Sequence, residues 1–265
     1  MRIVIAGMAK SGTTALFFRI KNSLSGRIVC CFEPKKYDNV RNPQVDHVLL
    51  KVLVEKFINP KSLKEFDKKI FITRDIRDQL VSDLLYSTYH FLYDKPIGHI
   101  KECFELLKKK ESSPSSVPIL TLFEHLLGMS ADAVIKRVHF LFRASTGFLK
   151  NSHDFFMFRY EDLAADNIAP LASYLGFQLS TNDNVDPEFK RVQRTKGSGS
   201  WKSWFTPEDI LFLRESANEY LEFFDYENEA WEPYHGQGIP PEHCSLYVQN
   251  VINERRAEKG YDLFP

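Results

Sequence analysis

Residues 2–14, RIVIAGMAKSGTT, combine an apolar run with a glycine-containing loop and three hydroxyl side chains. The apolar run enters Gly7, and Gly12 then opens a helical segment, which is the strand–loop–helix context of a phosphate-binding loop. Backbone N–H groups at such a helix start, helped by the Thr13 and Thr14 hydroxyls, can hold an oxyanion. The sequence therefore predicts an anion site over Lys10–Thr14. The alternative is a structural glycine turn with threonine caps.

The lysine of this loop is displaced from the position that a nucleotide triphosphatase uses. The spacing from Gly7 to Gly12 fits the first part of the pattern G-x-x-x-x-G-K-[ST], but position 13 is Thr. The nearest lysine, Lys10, lies inside the loop. A phosphotransferase of the P-loop kinase type would need a lysine at position 13, so the sequence does not favour this function and we keep it as an alternative.

A second candidate phosphate site follows the apolar segment KIFIT. Arg74 leaves this predicted strand, and Ser82 lies two turns into the following helix. An arginine and a hydroxyl at this spacing can grip one phosphate between them. The alternative is that Arg74 and Arg77 pair with Asp75 and Asp78 on a solvated helix start.

A third candidate is the basic, glycine-containing stretch between residues 194 and 202. Its cations Arg194 and Lys196, the flexible Gly197 and the aromatic Trp201 suit a lid over a nucleotide. Taken alone, the same composition also describes a basic solvated loop.

These segments must be positioned by strands and helices that alternate along the chain. Apolar runs predict strands, and 3.6-residue periodicity predicts helices. The predicted strands are 2–6, 27–32, 47–54, 69–73 and 154–159; the predicted helices are 13–23, 75–93, 119–127, 131–149, 168–175, a helix capped by Thr206, and 246–259. This alternation predicts an α/β chain: a P-loop-type three-layer fold with a central, mostly parallel sheet flanked by helices.

Ligands of such sheets bind beyond the carboxyl ends of the strands. Four predicted strand ends carry polar groups that suit a phosphorylated ligand: Lys10–Thr14, Glu33, Arg74 and Tyr160. Their coincidence is a stronger signal than any one of them alone.

Composition narrows the function classes. The chain has 265 residues, of which 43% are hydrophobic and 26% charged, which predicts a soluble globular protein. The length fits one large α/β domain or two small ones, and we expect a single domain over 1–265. The formal net charge is +0, so no basic field indicates a nucleic-acid partner. No apolar run approaches the roughly 20 residues that span a bilayer, and the N-terminus reads as a core strand. We therefore expect a cytoplasmic protein.

Together and in this order, the three segments resemble the sulfotransferases that use 3′-phosphoadenosine 5′-phosphosulfate (PAPS). The resemblance runs from residue 3 to about residue 209. It implies that Lys10, Ser11, Gly12, Thr13 and Thr14 bind the 5′-phosphosulfate. It also implies that Arg74 and Ser82 bind the 3′-phosphate and that Tyr160 lies beside the adenosine. The segment that closes over the 3′-phosphate would contain Arg194, Lys196, Gly197 and Trp201.

One departure indicates the branch of this family. The small-phenol and steroid enzymes carry a Lys-Thr-His whose histidine is the base, but this chain reads Lys51-Val52-Leu53. It is more similar to the carbohydrate-type and bacterial branches, which use a glutamate after the second strand. Glu33 stands at that point, in Cys31-Phe32-Glu33-Pro34-Lys35.

The resemblance implies in-line sulfuryl transfer to a hydroxyl or amine, with release of PAP and no metal. Glu33 is then the base and Lys10 stabilises the leaving oxygens. Glu55 is the second candidate base, and the alternative role for Glu33 is a solvated acid paired with Lys35 or Lys36. We expect a small-molecule, saccharide or lipid acceptor, bound by insertions at 94–150 and 231–265. A non-catalytic nucleotide-binding protein of the same fold is a further alternative.

Overall fold

A computed structural model describes residues 1–37, 45–152, 154–182, 184–186, 189, 197–227, 230–234, 236 and 238–265. The strands are β1 (Arg2–Gly7), β2 (Ile28–Phe32), β3 (His47–Leu53), β4 (Lys68–Thr73) and β5 (Phe156–Arg159). The helices are α1 (Thr13–Lys21), α2 (Ile76–Phe91), α3 (Ile97–Ser112), α4 (Ile119–Leu127), α5 (Ala131–Asn151), α6 (Tyr160–Ala164), α7 (Ala169–Leu175), α8 (Trp201–Trp204), α9 (Pro207–Phe223) and α10 (Ser245–Lys259).

The five strands form one sheet in the order β2-β3-β1-β4-β5, and each neighbouring pair is parallel. The predicted α/β class, with a central parallel sheet flanked by helices, is confirmed. From Ile3 onward the central strand β1 is apolar and buried, as is usual for a parallel strand that is covered on both faces. Because all strands run the same way, their carboxyl ends meet at one edge of the sheet.

The chain divides into two compact units. The first comprises Met1–Arg74 and Leu141–Lys190, and it contains the whole sheet. Its core joins α1 to the sheet through fully or almost fully buried apolar side chains, which include Leu16, Phe17 and Ile20 of α1 and Ile3, Ile5, Leu49, Ile70, Ile72 and Phe158 of the strands. Burial of this helix face fixes the direction in which α1 leaves the loop after β1.

The second unit comprises Asp75–Phe140 and Arg191–Pro265 and is helical in its described part. Within it, α2 packs against α4 and α10. Helix α9 begins at Thr206, whose side chain accepts a hydrogen bond from the Asp209 N–H, while the Asp209 carboxylate accepts one from the Thr206 N–H. This capping box confirms the helix start that Thr206-Pro207-Glu208-Asp209 predicts.

Helix α3 is the largest element that the sequence predictions omit. Its buried residues Ile100, Cys103, Phe104 and Leu107 recur at helical spacing, so the signal was present. The polar, Pro/Ser-rich stretch ESSPSSVP at 111–118 is partly helical, because α3 continues to Ser112 and a short 3₁₀ helix spans Pro114–Ser116. No helix in the described part of the chain has both the length and the apolar character that crossing a membrane requires.

Candidate functional site

The loop after β1 presents the start of α1 as an anion cradle. It is closed by Ser11, whose backbone N–H and hydroxyl both donate to the Met8 carbonyl, at 3.2 and 2.8 Å. Gly12 precedes the first turn of α1 with φ of 96° and offers no side chain to cap the helix. The N–H groups at this helix start are therefore suited to an external anion, and the positive end of the helix dipole favours one.

Lys10 lies within this loop in the left-handed region, with φ of 67°. Such a backbone costs a non-glycine residue roughly 1 kcal/mol or more, and it is found mostly where function or packing fixes the chain. The Lys10 carbonyl accepts a hydrogen bond from an Arg74 terminal nitrogen at 3.3 Å. Arg74, at the end of β4, thus lies against the loop that follows β1.

Tyr160 covers the other side of the same loop. A Cβ atom at Gly12 would come within 2.3 Å of Cδ2 of Tyr160, so the ring requires glycine at that position. The Arg74 guanidinium lies 4.5 Å from the centroid of the Tyr160 ring. The structure therefore brings four of the predicted site residues together: Lys10, Gly12, Arg74 and Tyr160.

Lys51, within β3, is a buried cation beside the predicted site residues Thr14 and Glu33 that the sequence predictions did not include. Its ammonium donates to Thr14 Oγ1 at 2.8 Å and pairs with Glu33 Oε1. It is 1% exposed and lies 4.0 Å from the centroid of the Phe32 ring. Burial lowers the pKa of Lys51, and the Glu33 carboxylate opposes this effect. The available signal was a single lysine in the otherwise apolar strand HVLLKVL.

Glu33 follows β2 at the same edge of the sheet. Its backbone is also left-handed, with φ of 51°, and its N–H donates to the Lys51 carbonyl at 2.9 Å. Its carboxylate pairs with Lys51, a partner that the sequence alternatives of Lys35 and Lys36 did not include. The Glu33 side chain remains 30% exposed, so it can meet a ligand while it holds Lys51.

Glu55, the second candidate base, has a different position. Its Oε1 accepts a hydrogen bond from the Ala9 N–H at 3.0 Å. Glu55 follows the end of β3, where the Val54 N–H also donates to the Gly7 carbonyl. The carboxylate therefore holds the first half of the loop from the side of β3.

Ser82 and Trp201 belong to the second unit. Ser82 is a buried residue of α2, and Trp201 is fully buried at the start of α8. The Trp201 ring lies 4.2 Å from the Arg77 guanidinium, which pairs with Asp75 at 2.7 Å. Arg77 therefore pairs with Asp75 as the alternative expects, but the helix start is buried and not solvated. Gly197 is described, whereas Arg194 and Lys196 lie outside the described residues.

Comparisons with known proteins do not show the family to which this chain belongs. No family model matches the chain. No curated protein matches it. A comparison with solved structures aligns it with a mouse sulfotransferase crystallised in complex with PAP, over 86% of this chain and 85% of that chain, at 18% sequence identity and a TM-score of 0.46. A likeness at this level carries no functional argument, so the function of this chain is argued from its own residues.

Proposed function

We propose that this chain is a PAPS-dependent sulfotransferase, which moves a sulfuryl group to a hydroxyl or amine of an acceptor and releases PAP. The observation that carries the proposal is the hydrogen bond from the Lys51 ammonium to Thr14 Oγ1. In a nucleotide triphosphatase, the hydroxyl at this point of the loop binds Mg²⁺. Here the protein supplies its own cation to that hydroxyl.

This contact favours sulfuryl over phosphoryl transfer. A triphosphate brings several charges that Mg²⁺ normally neutralises, whereas a phosphosulfate carries fewer and can be met by lysines and N–H groups. The loop also lacks the lysine at position 13 that a triphosphatase uses, and it has Lys10 instead. The Lys51–Thr14 contact and the displaced lysine both favour a phosphosulfate donor over a nucleoside triphosphate.

Lys10 and Glu33 take the two catalytic roles in this proposal. Glu33 accepts the proton of the acceptor hydroxyl as the new oxygen–sulfur bond forms. Lys10 and the N–H groups at the start of α1 stabilise the charge that develops on the leaving phosphate oxygen as its bond to sulfur breaks. PAPS supplies the sulfuryl group. Lys51 holds the Glu33 carboxylate through Oε1 and orients it.

The donor-binding roles follow the family resemblance and remain proposals. Ser11, Gly12, Thr13 and Thr14 bind the 5′-phosphosulfate together with Lys10. Arg74 and Ser82 bind the 3′-phosphate, and Tyr160 lies beside the adenosine. The proposed closing residues are Arg194, Lys196, Gly197 and Trp201.

Ligand titration tests the proposal directly. We expect PAP to bind in the presence of EDTA, and Lys10→Ala or Arg74→Ala to abolish that binding. ATP with Mg²⁺ is the matched competitor, because the phosphotransferase alternative requires it. Binding of ATP–Mg²⁺ without binding of PAP would overturn the proposal.

One observation favours the non-catalytic alternative. Both candidate bases hold protein groups, since Glu33 pairs with Lys51 and Glu55 accepts from the Ala9 N–H. A nucleotide-binding protein of this fold would keep both contacts for stability alone. Full turnover in a Glu33→Gln, Glu55→Gln double variant would exclude both residues as the base, while PAP binding without turnover in the native chain would favour the binding protein.

The acceptor and the branch are proposed at the level of class. We propose that residues 94–150 and 231–265 bind the acceptor. The proposed base at Glu33 favours the carbohydrate-type or bacterial branch of the sulfotransferases. Saccharides, lipids and hydroxylated metabolites, each offered with labelled PAPS, form the screen that identifies the acceptor. Transfer to none of these classes would contradict the assignment.

A further inference from the structure

The Lys51 ammonium has a further partner besides Thr14 and Glu33, which is the aromatic ring of Phe32. Lys51 Nζ lies 4.0 Å from the centroid of this ring. An ammonium has three N–H donors, and in the described part of the chain its hydrogen bonds go to two oxygens, Thr14 Oγ1 and Glu33 Oε1. The face of an aromatic ring carries partial negative charge and attracts a cation at this distance. The Phe32 ring therefore contacts the ammonium where these two oxygens do not.

The register of the sheet puts Phe32 beside Lys51. The two residues are paired in the parallel ladder between β2 and β3, so their side chains lie on the same face of the sheet. Lys51 is buried, and a buried charge is costly unless partners surround it. An aromatic ring is apolar and still attracts the cation, so Phe32 encloses the ammonium without adding a second charge.

Two further rings fix the orientation of Phe32. Phe17 of α1 meets it edge-on, with centroids 5.2 Å apart and ring planes at 88°. Phe189 lies against it with centroids 4.4 Å apart and ring planes at 34°. Aromatic pairs are most stable in edge-to-face or offset arrangements of this kind. The three rings constrain one another, so the Phe32 ring keeps its position over Lys51.

Charged groups that follow two of the strands also act on Lys51. Burial lowers the pKa of Lys51, and the Glu33 carboxylate opposes this effect. Lys56 lowers the pKa further, and Glu55 raises it. Helix α1 faces the ammonium with the Thr14 hydroxyl, which does not titrate. Among the described residues, the contacts that favour the charged form are therefore the carboxylate, this hydroxyl and the aromatic ring.

We infer that Phe32 is a positioning residue for sulfuryl transfer, an inference that rests on the proposed function. Its ring holds Lys51 in the ammonium form, and only this form attracts the Glu33 carboxylate and orients it as the base. A neutral Lys51 would release the carboxylate and would remove the cation beside Thr14. Phe32 touches neither the donor nor the acceptor and acts through Lys51. It thereby extends the pH range of turnover at its alkaline end.

A pH titration of Phe32→Leu tests this role, because leucine keeps an apolar side chain and has no ring face. Lys51 should then lose its proton at lower pH. We expect the alkaline midpoint for turnover of labelled PAPS, with saccharide, lipid and metabolite acceptors offered together, to fall by about one pH unit. NMR of isotope-labelled lysine side chains should show the same fall for Lys51, whose signal is identified by its loss in Lys51→Arg. An unchanged NMR midpoint would overturn the inference, and so would an NMR midpoint that falls while the turnover midpoint stays.

Two further variants separate the ring face from packing. Phe32→Tyr keeps the ring face and should keep both midpoints near their native values. Phe17→Leu is the matched control, because it removes a buried ring of the same cluster that contacts Phe32 and, among the described contacts, not the ammonium. It should lower the free energy of unfolding and leave both midpoints in place. A fall in either variant as large as that in Phe32→Leu would show that packing acts on Lys51, and would overturn the inference.

A fluorinated residue serves if Phe32→Leu fails to fold. Trifluorophenylalanine at position 32 keeps the shape of the ring while its fluorines withdraw negative charge from the ring face. Both midpoints should fall in this variant also, and unchanged midpoints would overturn the inference.

The two proposals fail in different ways. A fall of the Lys51 NMR midpoint in Phe32→Leu, in a chain that neither binds PAP nor turns over PAPS, would overturn the proposed function and with it the positioning role. A native chain that binds PAP and turns over PAPS, with the same Lys51 midpoint in Phe32→Leu, would overturn the role of Phe32 alone.

Discussion

The Glu55 carboxylate accepts a hydrogen bond from the Ala9 N–H at 3.0 Å, and so joins the end of β3 to the loop after β1. This contact requires a side-chain acceptor oxygen at position 55, which a glutamate or a glutamine can supply, and it does not involve catalysis. It also separates the two glutamates that the sequence left as alternative bases, because Glu33 contacts Lys51 and Glu55 contacts the loop backbone.

Glu55 should affect donor affinity through its acceptor oxygen and not through its charge. Glu55→Gln keeps an oxygen for the Ala9 N–H, so PAP affinity and turnover should stay within about twofold of the native values. Glu55→Ala removes this acceptor and should weaken PAP binding by about three- to tenfold. Calorimetry and an assay with labelled PAPS measure the two effects. Loss of turnover in Glu55→Gln with unchanged PAP affinity would transfer the role of base to Glu55.

Glu33→Gln should separate binding from turnover. Glutamine keeps an oxygen for Lys51 but cannot accept the acceptor's proton, so we expect turnover to fall by about 100-fold or more. PAP affinity should change by less than about twofold, because the Lys51–Thr14 contact survives. Glu55→Gln is the control, because it makes the same glutamate-to-glutamine change at the same edge of the sheet. A Glu33→Gln variant with native turnover would remove Glu33 from the mechanism.

Gly12→Ala should damage the loop through two effects. The new Cβ would meet Tyr160 at 2.3 Å, and φ at this position is 96°. We expect a loss of about 1–3 kcal/mol in the free energy of unfolding and loss of PAP binding. The control is Gly98→Ala, where no atom lies within 4 Å of the added Cβ apart from the neighbouring residues and the backbone of its own helix. Gly98 is the second residue of α3, so this variant should keep the free energy of unfolding within about 1 kcal/mol of the native value. Native PAP affinity in Gly12→Ala would contradict this account of the loop.

Lys110 should make the free energy of unfolding vary with pH in the alkaline range. Its buried ammonium donates to the carbonyls of Pro114, Val117 and Trp204. Burial lowers its pKa to about 8, against an opposing effect of Asp209.

Because the folded pKa is lower than the unfolded one, the unfolded chain binds more protons between these two pKa values. The free energy of unfolding should therefore rise with pH from about 8 to about 10.5, by up to about 3 kcal/mol from this group. Urea unfolding of the native chain and of Lys110→Met across this range isolates the effect, because the methionine cannot titrate. Parallel pH profiles would show that the three carbonyls keep the ammonium charged well above pH 8.

The strands and the anion loop could be predicted from the sequence because their signals are local. The apolar run before Gly7 and the spacing to Gly12 lie within one short segment, and the capping residues of α9 are equally close together. The Lys51–Glu33 pair has no local signal. It depends on the register of β2 against β3, in which Phe32 lies opposite Lys51 and Glu33 follows as the next residue.

Asp78 shows the same limit over a longer distance. The sequence offered Arg74 and Arg77 as partners for Asp75 and Asp78, since all four residues are close along the chain. Arg77 and Asp75 form one of the expected pairs. Asp78 contacts residues more than 120 positions away, and nothing in a single sequence indicates that separation. The predictions for Arg194 and Lys196 stay predictions.

The left-handed backbone at Lys10 has an evolutionary consequence. Glycine and asparagine tolerate this conformation better than lysine does, so we expect selection for heat resistance to replace Lys10. Glu33 has the same backbone conformation, but its carboxylate pairs with the buried Lys51, so a replacement there would cost more stability than it gains. The role proposed for Lys10 needs its ammonium, so selection for sulfuryl transfer should restore the lysine. A library of this gene selected first for thermal tolerance and then for sulfuryl transfer should therefore reverse its preference at position 10 and keep glutamate at position 33 throughout.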